Sequence, residues 1–362
     1  MTVQDHNKPE YRGLAQTANG APVARFPDSL RLSRSIDRIQ PVGAMLESRL
    51  VTTLSAFDQG DRRAAARLIS LVENGGPQAE EVLHRLYPRL GRVPRIGITG
   101  PPGVGKSTLV DTLIRHHRQN DLRVGVVAVD PSSPFSGGAV LGDRVRMGDL
   151  ATDPGVFIRS MATRGSLGGL ARATKDVADV LEAFGHDILI IETVGVGQTE
   201  MDIAAAADTV VVVVSPESGD SIQAMKAGLM EVADVLVVNK ADRPAAGQMM
   251  RTLEADLHLR PASPWTPPVV ATIASRGEGV AELTDAVTRH YDHLQESGTL
   301  EQRRLDRART EIVAILNDRL RQHAHQRLAD QLAPWAERVV QGEATPYSAA
   351  RTLLAALFEE NS

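Results

Sequence analysis

Seven short apolar runs recur through the middle of the chain: "RIGITG", "RVGVVAVD", "VFIRS", "DILIIE", "TVVVVVS", "VLVVNK" and "PVVATI". Most are continuous in Val and Ile and do not alternate with polar residues. Strands buried on both faces have that composition, so the runs predict a mostly parallel sheet covered by helices. This pattern begins at Val93 and ends near Glu296. Before it, from "PVGAMLESRL" to "EEVLHRLYPRL", apolar residues recur at helical spacing, and "NGG" interrupts them near Asn74. About three helices packed outside the main domain are expected there. After "SGTL" the β signal stops. "EQRRLDRARTEIVAILNDRLRQHAHQRLADQLAPWAERVV" reads as a long, charged, amphipathic helical stretch broken at Pro334, and "ATPYSAARTLLAALF" as a final helix. Four regions follow: a polar lead-in at 1–42, expected to be disordered; a helical region at 43–92; an α/β domain at 93–298; and a helical region at 299–362. The last is the natural candidate for dimerisation. The competing reading is a helical cap folded back on its own domain.

Composition narrows the classes. The 362 residues are 42% hydrophobic, enough for a sizeable core, and the formal net charge is -5. Nothing suggests a broad nucleic-acid or anionic-membrane surface. The apolar runs are strand-length and fall short of the roughly 18–20 residues of a membrane span. The absence of cysteine excludes disulfides and thiolate metal sites and is compatible with a reducing cytoplasm. "MTVQDHNKPEYRG" carries no apolar core of a secretory signal. The expectation is a cytoplasmic protein without nucleic-acid or membrane partners.

The first candidate chemistry lies in "RIGITGPPGVGKSTLVDTL", which holds G-x-x-x-x-G-K-S from Gly100 to Ser107. A predicted strand precedes it and a predicted helix follows, the context that gives the motif meaning. Gly100, Gly103 and Gly105 let the backbone wrap a phosphate. The amides through Val104 to Thr108 and the helix N-terminus face the anion. Lys106 is placed to reach the β/γ-phosphates and Ser107 to bind Mg2+. "VLVVNKADRP" supplies the second motif, N-K-x-D, as Asn239, Lys240 and Asp242. The Asp242 carboxylate can accept from both N1–H and the 2-amino group of guanine. Adenine lacks that donor pair and would leave the acid unsatisfied. Asn239 suits the other edge of the base, and the Lys240 stem can pack on the ring. GTP/GDP is therefore expected over ATP. In "ATIASRGEGV", Ala274 is a candidate backbone donor where the loop closes over the base.

A third motif, "DILIIETVGVGQTE", ends an apolar run in Glu192, with Gly195 as a candidate γ-phosphate contact. Asp130 ends another strand. Two acids on neighbouring strand ends beside Ser107 make a plausible magnesium and water site, with the direct ligand left open between them. Val196 follows Gly195 where small signalling GTPases carry a water-positioning Gln, so intrinsic hydrolysis is expected to be slow. About 85 residues separate Lys106 from Glu192, leaving room for an extra strand-helix pair. That sheet resembles the signal-recognition and metal-insertion GTPase class.

Taken together, "GPPGVGKST", "VDPSSPFSGGAVLGDRVRM", "FIRSMATRGSLGGLA", "IIETVGVGQTE" and "VVNKAD" resemble the MeaB/ArgK-type P-loop GTPases, the family of the methylmalonic aciduria type A protein. The likeness spans roughly residues 43 to 350. It implies a homodimeric GTPase chaperone that gates cofactor loading and protects an adenosylcobalamin-dependent acyl-CoA mutase, with an adenosyltransferase as a further partner. By the same resemblance Asp130 and Asp143 fall in a first switch and Glu192 in a second. "SPESGDSIQAMK", ending at Lys226, matches a third segment that relays nucleotide state. Gln198 is a candidate to swing in when the partner binds. The chain departs from many relatives in carrying Ile273-Ala274 where they have Ser-Ala. Rival readings are an ATP-using kinase or transport-coupled ATPase, a metal-insertion GTPase, and a scaffold with a structural nucleotide. The pairs His116-His117 and His323/His325 read as solvated helix faces. Trp265 reads as a packing anchor, and Arg159 and Arg164 as switch or partner contacts.

Overall fold

The computed structural model describes residues 44–131, 149–163, 169–193, 203, 206–217, 229–261 and 263–358. The lead-in at 1–42 lies outside them. All seven apolar runs form strands: β1 Arg95–Thr99, β2 Val124–Pro131, β3 Val156–Thr163, β4 Ile188–Thr193, β5 Thr209–Val214, β6 Val235–Asn239 and β7 Val269–Thr272. They make one sheet in the order β3-β2-β4-β1-β5-β6-β7, with every pair parallel. Strand order reverses around β1, which pairs with β4 on one side and β5 on the other. In an open parallel sheet, ligands bind beyond the carboxyl ends at such a point.

The continuous Val/Ile runs split by residue parity between two cores. Ile96, Ile98, Val124, Val126, Ile188, Ile190, Val211, Val213, Val235 and Val237 face α4 (Lys106–Gln119) and α8 (Val280–Glu296). Val127, Val129, Leu189, Ile191, Val210, Val212, Leu236 and Val238 face the other way, against α5 (Gly169–Ala183) and α7 (Ala246–His258). At β1 that second face carries Gly97, where a Cβ would come within 2.9 Å of Ala207 and Ile203. A short α6 spans Leu229–Val232.

The N-terminal region forms three helices, α1 Ala44–Asp58, α2 Arg62–Asn74 and α3 Pro77–Leu86. Asp61 caps α2 by accepting from the Arg63 amide, and Gly75 ends it with φ of 71°. These helices lie outside the sheet but do not stand apart from it. Leu54, Phe57, Leu68, Ile69, Val82 and Leu86 belong to the same core as Val177 and Leu181 of α5 and Phe184 just past its end. Arg62 fastens them to the β3 edge. Its guanidinium donates to the carbonyls of Asp153, Pro154 and Val156 at 2.7–3.1 Å and lies 5.4 Å from the Phe157 ring centre.

Residues up to Leu300 form one compact unit, and a second begins at Glu301. The second unit pairs α9 (Thr299–Val340) with α10 (Pro346–Phe358) around Leu328, Leu353 and Leu357, with Ala324 and Trp335 alongside. The expected break at Pro334 is absent: the helix runs through it. Asp330 and Pro334 are both exposed, so water can serve the carbonyl that proline leaves unbonded. No described helix is long and apolar enough to cross a membrane.

Candidate functional site

The glycine-rich loop joins β1 to α4 at the strand-order reversal. Gly100 takes φ of 143°, and a Cβ there would lie 2.0 Å from the Val213 carbonyl of β5. Gly105, at φ of 94°, leaves a gap that a Cβ would fill to within 2.5 Å of the Asn239 amide nitrogen. Glycine at these positions is therefore required by backbone conformation and by close packing together. Lys106 is buried and folds back into the loop, its ammonium donating to the carbonyls of Gly100 and Pro101 at 2.7 and 2.9 Å. Val104 is fully buried and anchors the loop in the core, whereas Thr108 faces solvent.

Glu192 lies on β4 in register with Ile98 of β1 and Ala128 of β2. Its Oε1 accepts from Ser107 Oγ at 2.7 Å. This contact joins the loop-to-helix corner to the neighbouring strand, and it is reinforced by a buried hydroxyl pair, Thr193 to Thr99, at 3.1 Å. Asp130 is on β2, two positions beyond the residue level with Glu192. Its side chain lies outside the described part, as do Gly195, Gln198, Asp143, Lys226 and Arg164. A hydroxyl and a buried carboxylate oxygen within 2.7 Å are hard donors of the type Mg2+ takes, so the residues present fit that ion.

Asn239 ends β6 and joins three segments. Its Nδ2 donates to the Val104 carbonyl at 2.9 Å, and its Oδ1 accepts from Thr272 Oγ1 and the Ala274 amide, both at 3.1 Å. The second Nδ2–H makes no hydrogen bond among the described residues. Ala274 differs from expectation. Its amide is spent on Asn239 and buried, so it is not presented to a ligand. Its carbonyl accepts from Thr112 of α4 at 2.9 Å, which pins the closing segment to the P-loop helix. Asn239 is therefore a strut between phosphate cradle and base-closing segment, a role that motif spacing does not reveal.

Lys240 adopts φ of 57° just past the strand and pairs with Glu217 Oε2 at 2.7 Å. Arg243 approaches the other oxygen of Glu217 at 3.3 Å. Asp242 is exposed and has no ion-pair or hydrogen-bond partner among the described residues. Sequence reasoning did not single out Glu217. The signal was an acid three residues past the end of β5, beside the strand end that carries N-K-x-D.

Other expectations change on contact with the fold. His117 is buried on the inner stripe of α4, continuing Leu109, Val110, Leu113 and Ile114. Burial pushes its imidazole down to about 4, with His116 adding to the shift. His323 and His325 are exposed on α9 as expected. Arg159 is committed to the N-terminal helices, pairing with Glu73 and lying 3.3 Å from Ser70 Oγ. Trp265 packs 4.9 Å from His290 and donates to the Asp234 carbonyl at 2.8 Å.

A glycine-rich cradle at the sheet's reversal point, tied through Asn239 to an N-K-x-D strand end, defines a P-loop GTPase that binds guanine nucleotide. Comparisons with known proteins extend this. The family model described as methylmalonyl-CoA mutase-associated GTPase MeaB matches residues 65–329. A protein of Pyrococcus abyssi named as a GTPase is 49% identical over 306 residues, covering 83% of this chain and 94% of its own. GTPase ArgK of Escherichia coli is 36% identical over 71% of this chain and 80% of its own. The mitochondrial methylmalonic aciduria type A homolog of Mus musculus is 33% identical, covering 86% of this chain and 80% of its own. Among solved structures, one titled LAO/AO transport system kinase superposes with a TM-score of 0.65 at 28% identity, covering 85% of this chain and 97% of that one. The chain belongs to the MeaB/ArgK family of P-loop GTPases and is a GTPase.

Proposed function

We propose that GTP hydrolysis by this chain times the loading and protection of an adenosylcobalamin-dependent acyl-CoA mutase, with methylmalonyl-CoA mutase or a close relative as client. The observation that carries the reading is the match across residues 65–329 to a family described by its association with that mutase. The mouse relative named for methylmalonic aciduria adds support.

For the chemistry, the chain's own residues would act by placement and charge. Loop amides and the N-terminus of α4 hold the phosphates. Lys106 leaves the Gly100 and Pro101 carbonyls to neutralise the transferring phosphoryl. Ser107 and Glu192 would hold Mg2+, with Asp130 as the second candidate acid. When bound, that ion would neutralise charge shared between the β- and γ-phosphates. With Val196 following Gly195, no glutamine stands directly after that glycine to orient water, so unassisted turnover is slow and the mutase raises it. Purified protein assayed with and without the candidate mutase tests this. Several turnovers per second alone, unchanged by the mutase, would refute it.

A homodimer is part of the proposal. Leu305, Ile312, Leu316 and Leu320 of α9 are each about half exposed at helical spacing. A second copy covering this stripe explains it. Sedimentation of Ile312→Glu/Leu316→Glu is expected to show monomers where the parent is dimeric. The kinase label of the solved relative implies ATP. Competitive titration of GDP against ADP decides between the bases, and Asp242 predicts GDP.

A further inference from the structure

We propose that Glu217 is a specificity-determining positioning residue, which keeps the Asp242 carboxylate available to guanine by holding the two cations that flank it. The inference rests on the guanine reading above. Lys240 and Arg243 bracket Asp242 in the sequence, two positions before it and one after, and both side chains are long enough to reach the acid that must accept from the base. An unopposed Lys or Arg beside an exposed carboxylate pairs with it, and that pairing competes directly with a ligand's N–H donors. Both cations instead turn to Glu217. Lys240 Nζ lies 2.7 Å from one carboxylate oxygen and Arg243 Nε 3.3 Å from the other. Among the described residues Asp242 is left without a partner.

The fold sets up this diversion. Val214 of β5 pairs with Val238 of β6, so the chain three residues on from the first and two residues on from the second leaves the sheet side by side. Glu217 and Lys240 therefore meet although 23 residues separate them. The left-handed backbone of Lys240, at φ of 57°, is set at this junction. The hydrogen bond from Lys240 lowers the Glu217 carboxyl below its ordinary range, with the charges of Lys240 and Arg243 adding to it, so Glu217 is ionised throughout the neutral range.

A second effect acts in the same direction. With its ammonium held, the Lys240 stem has fewer conformations to lose when it packs on a ring. Ordering such a side chain at a binding surface carries a penalty equivalent to roughly threefold to tenfold in affinity.

Glu217→Gln keeps the shape and removes the charge that attracts both cations. Affinities for GDP, IDP, ADP and inorganic tripolyphosphate are measured for parent and variant by competition with a fluorescent guanine nucleotide. IDP lacks the 2-amino group, so the GDP-to-IDP ratio reports the Asp242 contact, and tripolyphosphate reports the cradle alone. The variant is expected to bind GDP roughly threefold to tenfold more weakly, with a smaller GDP-to-IDP ratio and unchanged tripolyphosphate affinity. An unchanged ratio overturns the inference. So does a loss of tripolyphosphate binding in step with GDP, because that is a structural effect on the whole site. If the parent itself prefers ADP, the guanine reading fails first and the role of Glu217 falls with it.

Discussion

Replacing Asn239 with alanine tests whether the base-reading strand is mechanically joined to the phosphate cradle. The substitution removes three hydrogen bonds at a site only 3% exposed. It strands the carbonyl of Val104, which is fully buried, and the amide of Ala274, which is 4% exposed. A buried polar group left without its partner costs about 1–3 kcal/mol, so the two backbone groups together set a penalty of about 2–6 kcal/mol. Part of this appears as lost global stability and part as local disorder of the loop. Every 1.4 kcal/mol that appears locally is tenfold in affinity. Asn239→Ala is expected to weaken GDP by at least about tenfold, to lower the unfolding free energy, and to weaken inorganic tripolyphosphate as well. Asn239→Asp keeps the acceptor but sets a carboxylate oxygen against the Val104 carbonyl, so it costs at least as much. The assay is competitive nucleotide binding together with urea unfolding of the same preparations. If Asn239→Ala loses GDP but binds tripolyphosphate like the parent with unchanged unfolding, Asn239 touches only the base and the strut argument is wrong.

Two further outcomes follow from buried charge, and both can be read by denaturant unfolding. His117 and His186 are each lowered to about 4, mainly by burial, with the positive charges of Arg123 and Arg62 adding at His186. A folded value below the ordinary 6.5 means that the unfolded chain binds the proton first. The stability is fully present above pH 6.5 and is lost as pH falls towards 4. Between pH 7.5 and 5 each group accounts for about 2 kcal/mol. His117→Gln and His186→Gln should each flatten that acid slope, and an unchanged slope in either variant refutes the assignment for that residue. Arg95, nearly buried, bonds Asp179 at 2.6 Å and Glu182 at 2.7 Å. Arg95→Ala leaves both acids buried, Asp179 with Lys175 and Glu182 with the Arg92 amide, so a loss of about 3 kcal/mol is expected. A loss under about 1 kcal/mol would show that the cluster is hydrated.

Local pattern carried much of this protein. Short apolar runs marked all seven strands, most of them continuous in Val and Ile, because a strand covered on both faces needs apolar residues at both parities. The glycine spacing around Lys106 marked the cradle, because few other residues tolerate a backbone at φ of 143° packed against Val213. Polar partners could not be read the same way. Periodicity tells which face of an element is buried, but a polar side chain's partner depends on which elements become neighbours. Asn239 spends its amide on Val104, 135 residues away, and Ala274 gives its amide to Asn239. His117 looked solvated beside His116, yet it extends an apolar stripe four residues past Leu113. Arg159 had several conceivable targets, and α2 supplied one by docking on β3. Glu217 meets Lys240 because β5 and β6 end side by side. The sequence by itself determined the sheet, the cradle and the base-reading motif, since each is a constraint on consecutive residues. Tertiary structure decided how cradle and reader are joined and which charges are held away from Asp242, since those depend on strand order.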